Sequence, residues 1–68
     1  MIFSQNELVT FKIIELNQEH QDLHYIIDHL TDELNPDQIR IRRLKKRRLY
    51  VKDQIAHLRS SLIPDIDA

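Results

Sequence analysis

The sequence predicts an all-α protein: an antiparallel, coiled-coil-like hairpin of two long helices, dimerising into a four-helix bundle. Three observations predict it. Glycine is absent and proline occurs only at positions 36 and 64, whereas small strand-rich domains need glycine at turns and bulges. Apolar residues recur every three or four positions on both sides of Pro36, which is the period of a buried helix stripe. The 68 residues include no cysteine, so a chain too short for a large core has neither disulfides nor thiolate zinc sites to reinforce it. Oligomerisation is the remedy that remains, and the chain is expected to be a single helical-hairpin domain over residues 1–68.

The first helix is predicted over about residues 5–33. Ser4 is a suitable cap, Glu7 three residues later completes a capping box, and Phe3 and Leu8 are spaced as a hydrophobic staple. Val9, Ile13, Leu16, His20, Leu23, Ile27, Leu30 and Leu34 then alternate by four and three, a heptad seam with one polar member. Pro36 disfavours helical geometry at Asn35, so a turn is expected over residues 34–36.

A second helix is predicted over about residues 36–62, with Asn35 as cap, Pro36 in the first position, Gln38 as the box partner and Asp37 against the positive end of the helix dipole. Its seam runs Ile41, Leu44, Arg48, Val51, Ile55, Leu58 and Leu62. Pro64 is expected to stop it and residues 63–68 to fray. Equal helices joined by a short connection pack antiparallel, a layout that would set Glu33 close to Arg40. His20 and Arg48 occupy core-type positions, where polar residues fix register and oligomeric state.

Charge is divided unevenly along the chain. Residues 1–37 carry one lysine against eight acids, and residues 38–68 carry nine basic residues against three acids. Halves of opposite sign favour folding back, or antiparallel pairing between chains. A further apolar set lies off the seams: Leu8, Phe11, Ile14 and Ile26 in the first helix, Ile39, Leu49 and Ile63 in the second. Two facing helices cannot cover it, and an exposed patch of this kind marks an interaction surface. Phe11, Ile14, Ile26 and Leu49 are the expected protein interface, used for self-association or for docking as an accessory subunit of a larger complex.

Residues 40–52 hold eight basic residues and no acid. Such a run is either a solvated face or a nucleic-acid footprint, with Arg42, Arg43 and Lys46 as the contacts. RNA or DNA binding is therefore the alternative function. His20 and His24, four apart, could form a metal-binding stripe with Asp28, but no fourth ligand is evident, and no metal or other cofactor is expected. No phosphate-cradling glycine loop or cysteine nucleophile is present, and Ser4, Ser60 and Ser61 fall at helix ends, so the chain is not expected to be an enzyme. No apolar run approaches the roughly 20 residues needed to span a bilayer, and Met1–Gln5 has no signal-peptide character. No membrane insertion is expected, and a cytoplasmic location is.

Leu16, Glu19-His20 and Leu23, followed by the stretch Ile41-Arg42-Arg43-Leu44-Lys45-Lys46-Arg47-Arg48-Leu49-Tyr50-Val51-Lys52-Asp53-Gln54-Ile55, give the chain a resemblance to the YdcH-like family of small uncharacterised bacterial proteins. It extends over roughly residues 12–60. Arg48 stands where that family usually has lysine, and Gln54 where it often has glutamate. The resemblance implies a bacterial cytosolic helical hairpin with no established activity and no catalytic residues to carry over. His20, Arg48, Lys52 and Asp53 are the positions its pattern marks out.

Overall fold

The computed structural model describes residues 2–62 and contains two helices, α1 (Gln5–Thr31) and α2 (Gln38–Leu62), packed antiparallel as a hairpin. The predicted stop at Pro64, the tail 63–68 and Ile63 of the second apolar set lie outside the described residues. α1 begins where the local chemistry places it. Ser4 accepts a hydrogen bond from the Glu7 amide at 3.1 Å, and the Glu7 carboxylate accepts one from the Ser4 amide at 2.8 Å. This reciprocal box satisfies two of the amides that every helix start leaves unpaired. Phe3 packs edge-on to Phe11, with ring centroids 5.0 Å apart.

The turn is longer than predicted. α1 ends at Thr31, whose hydroxyl donates to the Ile27 carbonyl at 2.7 Å, and residues 32–37 connect it to α2. Leu34 is therefore not a seam residue; it is 93 % exposed. The α2 cap is Asp37 and not Asn35: its carboxylate accepts from the Arg40 amide at 3.0 Å and its carbonyl from the Ile41 amide at 3.0 Å. Asn35 and Asp37 are equally competent caps. Asp37 also brings its charge to the positive end of the α2 dipole, so α2 starts past Pro36, and the six-residue connection is of ordinary length for paired helices.

The seams meet as the periodicity implies. Ile13, Leu16, Leu23, Val51 and Ile55 form the core, with Val9, Leu44, Leu58 and Leu62 packed at its margin. Ile27 and Ile41 are buried nearer the turn. Val51 is the one described side chain with no exposure at all. The Cα envelope is only 14 Å deep in its shortest direction, so the molecule is a single layer. Each helix is covered on one side alone, and the remaining apolar residues stay at the surface.

Candidate functional site

Two heptad seams in antiparallel register leave two flanks, and each is marked by one cross-helix contact. On the first, Arg47 of α2 clasps Glu19 of α1: its Nε and Nη2 donate to the two carboxylate oxygens at 2.7 and 3.1 Å. The two residues occupy equivalent positions beside their seams, where flanking side chains of opposite charge set register. The guanidinium also lies over the Tyr50 ring, 5.2 Å from its centroid. The hydrogen bonds from Arg47 hold the Glu19 carboxyl below its ordinary value, and the same bonds raise the Arg47 guanidinium. Continuing this register brings Arg40 level with Ile26, one heptad short of Glu33. The expected Glu33–Arg40 pair is accordingly not among the ion pairs of the described residues.

The opposite flank centres on Arg48. This half-buried seam residue lines one cleft with His20, so the two polar members of the seams open onto the same groove. Arg48 Nη1 reaches Nδ1 of His24 at 3.2 Å, and His24 Nε2 lies 3.8 Å from an Asp28 carboxylate oxygen. A guanidinium has only donors, so His24 Nδ1 is the acceptor and the ring proton sits on Nε2, facing Asp28. An open cleft of about 340 Å³ is lined by His20, His24, Lys45, Arg48, Leu49 and Lys52. A second of about 370 Å³, lined by Gln38, Ile41, Arg42, Lys45, Lys46 and Leu49, adjoins it through Lys45 and Leu49. Lys45 and Lys52 were not singled out by charge pattern alone. Their signal was positional: each stands beside the seam on the same side, three or four residues from Arg48.

The four interface candidates are all exposed, but they do not form one stripe. By heptad position Ile26 lies on the Glu19–Arg47 flank with Leu8 and Tyr50, and Phe11 lies on the outer crest of α1 against Phe3. Ile14 falls towards the other flank, and Leu49 lines the basic clefts. Of the nucleic-acid candidates, Arg42 and Lys46 line the second cleft, whereas Arg43 is exposed and belongs by heptad position to the Glu19–Arg47 flank. His20, His24 and Asp28 share one face of α1. Among the described residues, no group of three or more His, Asp or Glu side chains is placed to hold a metal ion. Ser4 and Ser61 serve the helix ends, Ser61 by donating to the Leu58 carbonyl at 2.7 Å.

The fold and its flanks define a small helical hairpin with cationic and apolar surfaces, and among the described residues no helix is long and apolar enough to cross a membrane. The family model described as "Protein of unknown function (DUF465)" matches residues 14–59, well over half of the chain, and the chain belongs to that family. No curated protein and no solved structure matches it.

Proposed function

We propose that the protein is a non-enzymatic interaction module whose partner is a second copy of itself, joined through the Glu19–Arg47 flank. The observation that carries this is the self-complementarity of that flank. Its α1 half bears Glu15, Glu19 and Asp22, with Lys12 paired to Glu15 at 3.1 Å, its α2 half bears Arg40, Arg43 and Arg47, and Leu8, Ile26 and Tyr50 lie exposed among them. A two-fold axis running along the helices sets α1 of one copy over α2 of the other, antiparallel, with Asp22 at the level of Arg43. Isologous pairing then matches acid with base twice, covers the apolar residues and makes the four-helix bundle that a single-layer hairpin lacks. The opposite flank is cationic on α2 without an equivalent acidic half, and two copies of it would repel.

A cytoplasmic setting fits the absence of cysteine. The YdcH-like identification is compatible with the family match, since residues 41–55, on which it rests most heavily, lie within the matched stretch. Sedimentation velocity of the full chain at micromolar concentration tests the proposal. The expected species has twice the 8.2 kDa chain mass, reverts to monomer with Ile26→Glu, and is unchanged by Leu49→Gln. A monomer at every concentration overturns self-association, and dependence of the dimer on Leu49 but not Ile26 overturns the choice of flank.

A further inference from the structure

We infer that the cleft between the helices on the Arg48 flank is a binding site for a phosphate-bearing anion. Lys45, Arg48 and Lys52 approach it from α2, and His20 and His24 from α1, with Leu49 as its apolar wall. No carboxylate lines this cleft or the one adjoining it. The nearest acid of the flank, Asp28, stands on the far side of the His24 ring from Arg48.

Three features separate this cluster from an ordinary solvated basic face. The first is the lack of neutralisation. Of the eight basic residues between positions 40 and 52, Arg47 alone has a carboxylate partner among the described ion pairs. The second is the positioning of Arg48. Its contact with His24 uses one of five guanidinium donors and cancels none of the charge, so the side chain is held across the groove with its remaining donors free. The third is the cost of that arrangement. A half-buried cation in the seam packs less favourably than a leucine would, and a bound anion supplies the missing compensation.

The chemistry selects phosphate over a simple carboxylate. Three full positive charges converge, which suits a group carrying two or more negative charges, and Arg with Lys is the combination that grips phosphate oxygens by fork and point charge. The groove continues past Lys45 to Arg42 and Lys46, giving room for a second phosphate. That ligand is either a small polyphosphate or the backbone of a nucleic acid, and the site recognises the chemistry they share. The cleft lies on the flank that the proposed dimer leaves open, so the two proposals stand separately.

The test is titration of the full-length chain with inorganic pyrophosphate, with citrate and with a short single-stranded RNA oligonucleotide, followed by calorimetry and by the NMR signals of the cleft side chains. Pyrophosphate is expected to bind and to shift the His20 and His24 ring signals. Arg48→Leu, which puts an apolar residue at this seam position, and Lys52→Gln should each weaken binding about tenfold. Arg40→Gln and Arg43→Gln, which remove the same charge from the other flank, should change it by less than about twofold because salt screens distant charges. Binding of the oligonucleotide alone, with the same dependence on Arg48 and Lys52 and a steep loss with salt, also supports the site and names the nucleic-acid backbone as the source. The inference is overturned if neither phosphate ligand binds, if citrate binds as tightly as pyrophosphate, or if Arg43→Gln costs as much as Lys52→Gln.

Discussion

Arg47 and Glu19, 28 residues apart in sequence, are joined by two parallel hydrogen bonds of 2.7 and 3.1 Å. No other ion pair among the described residues links the two helices. The seams supply apolar contact in any register that keeps them facing; the connection of residues 32–37 limits how far the helices can slide, and this pair favours the alignment that results. Both side chains are substantially exposed, and exposed pairs contribute little. Arg47→Ala and Glu19→Ala should each lower the melting temperature by only a few degrees. A double-mutant cycle should show the two effects to be non-additive; strictly additive losses would show that the pair is not coupled.

The same pair sets an acid limit. The Glu19 carboxyl is held below its ordinary value of 4.5 by the Arg47 hydrogen bonds, so the unfolded chain takes up this proton more readily than the folded one. Its contribution is complete above the ordinary carboxylate range and is lost as pH falls through the lowered folded value. Thermal melts should therefore show the wild type losing stability as pH drops below about 4.5, with a shallower acid slope for Glu19→Gln. Identical slopes would remove Glu19 from the acid response.

Val51 has no exposed surface, so its two methyl groups lie wholly within the core beside Leu16 and Ile55. Val51→Ala should destabilise the hairpin by about 2 kcal/mol, from lost transfer free energy and the cavity left behind. Leu34→Ala, at the exposed turn, should stay within about 0.5 kcal/mol of wild type. Chemical denaturation of both variants measures the contrast, and equal losses would contradict the placement of Leu34 outside the seam.

Capping of α2 provides a local test. Asp37→Ala removes the acceptor of the Arg40 amide and should cost about 1 kcal/mol, whereas Asn35→Ala should be near neutral. Denaturant midpoints read the difference directly. A larger loss at Asn35 would return the cap to the residue before Pro36.

His24 should carry its ring proton on Nε2. Arg48 Nη1 can only donate to Nδ1 at 3.2 Å, which leaves Nε2–H facing Asp28. The nitrogen chemical shifts of the neutral imidazole should report that tautomer in the wild type, and Arg48→Leu should release the preference. A predominant Nδ1–H form in the wild type would contradict the contact.

Helix content, the seams and the start of α1 were legible in the sequence because each depends on neighbours three or four residues apart. Ser4 with Glu7 and the spacing from Val9 to Ile27 need nothing beyond the chain's own helical period. The bend near Pro36 was legible for the same reason, being a local restriction on Asn35. What tertiary structure decided was everything that depends on which residue of α2 lies beside which residue of α1. Asn35 was the expected cap of α2, and the packed hairpin caps it with Asp37 instead. Glu33–Arg40 was the expected pair and Glu19–Arg47, one heptad away in register, is the one formed, because a periodic seam cannot choose between registers that differ by its own period. The flanks followed from that choice. Once Arg47 meets Glu19, the Arg48 guanidinium reaches His24; His20, Lys45 and Lys52 line a cleft with them, and Leu49 is separated from Ile26. Periodicity names the faces of a helix, but which side chains gather into one site depends on a register that only the packed pair of helices contains.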